Sequence, residues 1–282
     1  MSFAELLKAA LFGVVEGITE WLPISSTGHM ILLNEFVKLD VSPEFWNLFL
    51  VVIQLGAILA VVFLYRRTIW PLRVVRRRDG TKHIVWKRQT LQLWAKIFVA
   101  CIPAGIVGVL FDDWIDAHFQ NWQCVSIMLV LVGILFIIIE NIYQGRVPTK
   151  RKLGDITYRD AFIIGLCQLV AAVFPGTSRS GSTILGGMML GMSRPAATKF
   201  TYILAIPVMA GASLLKIVKY GFAFSGQEVA ILVTGMVIAF VISFVAIRLF
   251  INYIRTHNFK PFGVYRIVLG IVMALYFLFL KG

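Results

Sequence analysis

Two carboxylates, Glu16 and Glu20, stand four residues apart in an apolar run and so share one face of a helix. At membrane depth such a pair is expensive, about 2.5–3.5 kcal/mol for each charge. The two also repel each other. A divalent cation, a shared proton or a nearby arginine would compensate them. Ser25-Ser26-Thr27-Gly28-His29 follows directly. A hydroxyl beside a base is the minimal activated nucleophile, and Ser26 with His29 or Glu20 meets that description. Ser25 and Thr27 equally suit a helix cap or a phosphate contact. A second polar cluster, Pro175-Gly176-Thr177-Ser178-Arg179-Ser180-Gly181-Ser182-Thr183, lies in the other half of the chain. Glycines and hydroxyls at a turn leading into a helix expose backbone N–H groups that cradle anions. Arg179 adds a planar donor fork suited to phosphate, or to neutralising Glu20. Gln54 and Gln168 are lone polar residues in apolar helices, expected to hydrogen-bond between helices first and to line a site second. His83, His118 and His257 receive no role.

The elements that position these groups follow from composition. Of 282 residues, 59% are hydrophobic and 15% charged, against about 25% charged in a soluble domain. This excludes a disordered chain and a soluble globule. Three cysteines, each in an apolar stretch, do not make a disulfide scaffold. What remains is an all-α polytopic membrane protein. The net charge of +13 reads as the cytoplasmic-loop excess of Lys and Arg and not as a nucleic-acid surface, since no zinc-finger or RNA-binding motif appears. The N-terminal stretch lacks a basic n-region and carries Glu5, Lys8, Glu16 and Glu20, so it does not read as a signal peptide.

A spanning helix needs about 20 apolar residues. Five stretches qualify: 46–65, 91–110, 122–142, 228–250 and 262–280. A sixth, 197–218, is broken by Pro207. Residues 4–22 and 158–174 each end at a proline and a polar cluster, followed by a short apolar piece at 30–37 or 184–192. Irregular backbone is tolerated at membrane depth only where it is buried or lines a wet cavity. Each region is therefore expected to be a re-entrant helical hairpin with its polar tip inside the membrane. Loops alternate between basic (66–90, 146–152, 255–260) and non-basic (112–121, 219–227) through six crossings. The positive-inside rule puts the basic ones in the cytoplasm and both termini outside. The 66–90 loop is expected to contain a short basic surface helix.

A shift of 152 residues superposes the two hairpin regions without a gap: Ala9 on Ala161, Gly13 on Gly165, Glu16 on Gln168, Pro23 on Pro175 and Ser26 on Ser178. The chain then divides into repeats 1–145 and 146–282 of one membrane domain. Each has one hairpin and three crossings. Three is odd, so the second repeat is inverted relative to the first, and its site is expected where the tips converge near the midplane.

Glu16-Gly-Ile-Thr-Glu20-Trp-Leu-Pro23-Ile-Ser25-Ser26-Thr27-Gly28-His29 resembles the (E/Q)xxxE segment and SSTGH of the bacterial undecaprenyl-diphosphatase, or bacitracin-resistance, family. Pro175-Gly-Thr-Ser178-Arg179-Ser180-Gly-Ser-Thr183 resembles that family's PGxSRSxxT motif. The likeness covers essentially the whole chain. It implies hydrolysis of undecaprenyl diphosphate to undecaprenyl phosphate and inorganic phosphate, which recycles the lipid carrier of cell-wall synthesis and confers bacitracin resistance. It also implies a divalent cation, Mg2+ or Ca2+, at Glu16 and Glu20, and a site open to the outer face of the inner membrane. Ser26, His29, Glu20 and Arg179 would be catalytic. Ser25, Thr27, Gly176, Ser178, Ser180, Thr183 and Gln54 would contact phosphate. A polyprenyl-phosphate transporter using the same midplane site is the alternative, and a homodimer is left open. A haloperoxidase-like phosphatase would need a histidine where Leu185 stands.

Overall fold

In the computed structural model the described residues are 3–76 and 82–281. Ten α-helices follow one another: α1 (Phe3–Thr19), α2 (Ser26–Phe36), α3 (Pro43–Ile69), α4 (Arg88–Phe119), α5 (Trp122–Ile142), α6 (Tyr158–Val173), α7 (Arg179–Met189), α8 (Arg194–Tyr220), α9 (Gly226–Tyr253) and α10 (Lys260–Phe279). Six of them, α3, α4, α5, α8, α9 and α10, are long and apolar enough to cross a membrane. The protein is thus an all-α polytopic membrane protein. Its three cysteines are free.

Three expectations are corrected. Pro207 does not break its helix: α8 runs unbroken for 27 residues, because neighbouring helices can re-satisfy the backbone groups that a proline frees. Asp112, Asp113 and Asp116 do not form a loop. They occupy the last turns of α4, where Lys216 and Lys219 of α8 pair with them at 2.8–3.1 Å. The connection after α3 holds a β-hairpin and not a helix. β1 (Leu72–Arg76) pairs antiparallel with β2 (Lys82–Trp86), Val74 opposite Ile84. Val74, Val75, Ile84 and Val85 are β-branched and favour a pleated surface over a helix. Residues 77–81 of that loop lie outside the described residues.

The helices pair in a pattern that recurs in the two halves. α1 packs on α9 and α6 on α4, while α5 packs on α10 and α3 on α8. Small residues permit the close approaches. A Cβ on Gly13 of α1 would lie 2.6 Å from the Gly235 carbonyl oxygen of α9. One on Gly165 of α6 would lie 2.5 Å from the Ala100 carbonyl oxygen of α4. Each short helix pair is therefore seated against a long helix of the other half.

Each short pair also returns to where it started. Lys8 Nζ donates to the Lys38 carbonyl, and the Asp40 N–H to Glu5 Oε2, so the start of α1 lies beside the end of α2. Lys150 bonds Asp160 at 2.7 Å and exchanges backbone bonds with Gly191 and Ser193, which closes α6 and α7 likewise. Other polar ties join Lys281 to Glu35 and Arg194 to Glu140, which also accepts from the Phe259 N–H. Among the described residues one ion pair, Arg179 with Glu20, joins the two short helix pairs to each other.

Candidate functional site

The first tip forms where α1 stops. Pro23 disfavours helical backbone at Leu22, and it has no N–H to continue the ladder. Ser25 then takes φ 70°, in the left-handed region that non-glycine residues rarely occupy. That turn starts α2 at Ser26. The Ser25 hydroxyl is buried without a partner, and no side chain caps α2. Glu20 projects back to this turn: Ser26 Oγ donates to Glu20 Oε2 at 2.6 Å. One turn earlier Glu16 lies buried with Oε1 unpartnered. His29 is occupied elsewhere. Its Nδ1 donates to the Ser25 carbonyl at 2.7 Å, which leaves Nε2 to accept from the Tyr265 hydroxyl of α10 at 2.7 Å.

The second tip repeats the turn with Ser178 at φ 69°, one residue before α7. Here the hydroxyl caps the helix, accepting from the Gly181 N–H at 3.1 Å. It also contacts Ser180 Oγ at 3.1 Å. The prolines of the two tips are 152 positions apart, but the turning serines, 25 and 178, are 153 apart. The gap-free superposition is therefore corrected: the second tip is one residue longer. In the register set by the two turning serines, Ser26 corresponds to Arg179 and Gly28 to Gly181.

The tips meet at Glu20. Arg179 Nη2 donates to Glu20 Oε1 at 2.7 Å. Ser180 Oγ donates to the Glu20 carbonyl at 3.1 Å. Tyr202 of α8 steadies the same stretch, its hydroxyl donating to the Trp21 carbonyl at 2.9 Å. Glu20 thus joins a hydroxyl of its own tip to a guanidinium of the other.

Of the expected site residues, Glu20, Ser26, Arg179 and Ser180 are joined by direct bonds. Glu16 lies one turn away, and its carboxyl interacts with that of Glu20. Ser178 joins through Ser180. His29 shares the first tip but bonds Tyr265 and not Ser26. Thr183 turns away, its hydroxyl shared between the Arg179 carbonyl and Thr201 Oγ1 at 2.8 and 2.9 Å. Gly176 presents its carbonyl to Arg266, so this part of the tip offers an acceptor and not an anion cradle. Thr27 and Gln54 form no hydrogen bond to either tip among the described residues. Gln168 is buried with both amide atoms unpartnered, which corrects its expected interhelical bond.

Three residues escaped the sequence. Arg266 of α10 is wholly buried and has no carboxylate partner among the described residues. Its Nη1 donates to the Pro23 carbonyl at 3.2 Å, and its Nη2 to Gly176 and Thr177 at 2.8 and 2.9 Å, so one guanidinium binds both tips. Tyr265 orients His29. Thr177 places a second buried, unpartnered hydroxyl at the second tip. Adjacent aromatic and basic residues at the start of an apolar helix look like interfacial anchors. Only the apolar spacing of Arg266 with Gly263 and Gly270 hinted that it faces inward.

The donors at Glu16 and Glu20 fit a hard cation. Two carboxylates and a hydroxyl are oxygen ligands, and one buried carboxylate oxygen lacks a partner. Among the described residues no third His, Cys, Asp or Glu joins them. Waters and phosphate oxygens would have to complete such a sphere, as is usual for Mg2+.

Known proteins resemble this chain over nearly its whole length. Residues 9–272 match the family described as bacitracin resistance protein BacA. The chain is 54% identical to an undecaprenyl-diphosphatase of Desulfitobacterium hafniense over 98% of both chains. It is 50% identical to one of Enterococcus faecalis over 99% of this chain and 100% of that one. It is 48% identical to one of Streptococcus mutans over 98% and 97%. The chain belongs to the BacA bacitracin-resistance family.

Proposed function

We propose that the site hydrolyses undecaprenyl diphosphate to undecaprenyl phosphate and inorganic phosphate, and so recycles the lipid carrier for cell-wall synthesis. The observation that carries the chemistry is the pairing of Ser26 Oγ with Glu20 Oε2 at 2.6 Å while Arg179 holds the other carboxylate oxygen. A hydroxyl bonded to a carboxylate that a third group orients is a nucleophile with its base. Relatives named undecaprenyl-diphosphatase over nearly the whole chain supply the substrate.

Ser26 Oγ attacks the terminal phosphorus and passes its proton to Glu20. The bond from that phosphorus to the bridging oxygen breaks, and undecaprenyl phosphate leaves with the proton that Glu20 had taken, which returns Glu20 to its carboxylate form. Water then attacks the phosphoserine, again giving its proton to Glu20, and inorganic phosphate departs as Ser26 recovers its proton. Arg179 faces the charge that builds on the transferring phosphoryl group. The Ser25 hydroxyl and the uncapped start of α2 offer donors beside it. His29 is a positioning residue in this scheme: its bond to the Ser25 carbonyl braces the left-handed turn that presents Ser26. A divalent cation bound at Glu16 and Glu20 would offset the charge of the diphosphate.

The closed ends of both short helix pairs, the recurring helix pairing and the meeting tips support two re-entrant hairpins in an inverted-topology repeat, divided near residue 145. The basic ends then face the cytoplasm. Both termini, and the site's opening, face the outer side of the inner membrane. The test is phosphate release from undecaprenyl diphosphate in detergent. Ser26→Ala is expected to lose about 10^3-fold or more in kcat. Full release by that variant would overturn the assignment.

A further inference from the structure

A second polar region lies at the basic-loop end of the molecule, away from both hairpin tips. The ends of α3 and α9 border an open groove of about 450 Å³ there. Its polar lining is Tyr65, Arg248, Asn252 and Arg255, and Leu64 and Ile251 contribute apolar wall. Arg248 and Asn252 stand four apart on one face of the end of α9, and Arg255 follows in the turn just beyond that helix and lines the same space. Lys199 of α8 adds a third cation, its Nζ 5.4 Å from the centre of the Tyr65 ring.

These cations differ from most of those that tie the helices together. Lys8, Lys150, Arg179, Arg194, Lys216, Lys219 and Lys281 each have a carboxylate partner. Among the described residues Arg248, Arg255 and Lys199 have none. Arg248 is also held in place: its guanidinium lies 4.1 Å from the centre of the Phe244 ring, which orders the group and leaves its N–H edge free. A concave site lined by two guanidiniums, an amide and a phenol, with no acid among the described residues that line it, is chemically complementary to a phosphate. The flank beside it is apolar and open, with Phe63, Val245 and Leu249 at least half exposed. That surface suits acyl chains, which a free phosphate lacks.

We propose that this groove between α3 and α9 binds the headgroup of an anionic glycerophospholipid from the leaflet on the basic-loop side. Basic pockets between spanning helices on that side are the usual form of such sites. The lipid phosphate would lie between Arg248 and Arg255, with Asn252 and Tyr65 donating to its oxygens.

The test is lipid retention by the purified full chain, read by native mass spectrometry with phosphatidylglycerol, phosphatidylethanolamine, undecaprenyl phosphate and inorganic phosphate as probes. Arg248→Gln/Arg255→Gln is compared with Arg151→Gln/Lys152→Gln, which removes equal charge outside the groove. The wild type is expected to retain phosphatidylglycerol over phosphatidylethanolamine. The groove double variant is expected to bind phosphatidylglycerol about 30-fold more weakly, from about one tenfold step or less per arginine. The control is expected to stay within about twofold of wild type. Phosphate release from undecaprenyl diphosphate should be unchanged in both, which also shows that both fold. Equal loss in the two double variants, or no loss in either, would overturn the site. Tighter retention of undecaprenyl phosphate, or displacement by inorganic phosphate alone, would overturn the choice of ligand.

Discussion

At the first tip Ser25 turns the chain with φ 70° and leaves its hydroxyl buried and unpartnered. At the second, Ser178 turns it with φ 69°, and its hydroxyl caps the next helix. The same fold of backbone thus serves two ends. The first tip keeps donors and a carboxylate available. The second caps its helix with its turning serine, leaves only the Thr177 hydroxyl buried and unpartnered among its described side chains, and extends one arginine and one serine into its neighbour. The contrast continues one helix turn earlier, where Glu16 of α1 corresponds to Gln168 of α6, both buried. The same turn carries a carboxylate bonded to a hydroxyl in one place and a guanidinium in the other. Neither copy holds the complete set.

Breaking the residue that both tips share should have the largest effect on the scaffold. Arg266→Gln removes charged hydrogen bonds to carbonyls of both tips and is expected to cost about 3 kcal/mol. Thermal unfolding of the protein in detergent measures it, and an unchanged midpoint would mean that the tips hold together without α10. The two hairpins can next be compared at equivalent seats. Gly13→Ala and Gly165→Ala each force a methyl group toward a carbonyl oxygen of the opposing long helix. Each is expected to lose about 1–3 kcal/mol by overpacking, measured in the same way. If only one variant suffers, the two pairings are not equivalent. The smallest effect should come from Ser178→Ala. Losing its cap should cost about 1 kcal/mol of stability, and phosphate release should stay within about tenfold of wild type. A loss of release as deep as that of Ser26→Ala would mean that the second tip is not primarily a scaffold.

Much of this was legible in the sequence because membrane burial makes polar residues costly. Glu16, Glu20 and Arg179 stood out against apolar surroundings, and prolines at 23 and 175 marked where the helices stop. The six spans followed from length and hydrophobicity alone. What failed depended on contacts between distant segments. The aspartates after residue 111 looked like a loop because their lysines lie about a hundred residues away, at 216 and 219. Arg266 looked like one more basic residue at a helix start, and its burial arises only when α10 packs against both tips. The one-residue offset between Ser25 and Ser178 was hidden because serine occurs at both 25 and 26. The bond of His29 to Tyr265 reaches a helix at the other end of the chain, a contact that sequence spacing does not show.

The central claim is that the two tips form one site around Glu20. It is tested most directly by a double-mutant cycle on phosphate release from undecaprenyl diphosphate, with Glu20→Ala, Arg179→Ala and the two combined. Each single change is expected to lower kcat by about 10^2–10^4-fold. The combined variant is expected to be no slower than the slower single variant, because groups acting as one unit are not additive. Losses that multiply, or a single variant that keeps the wild-type rate, would contradict it.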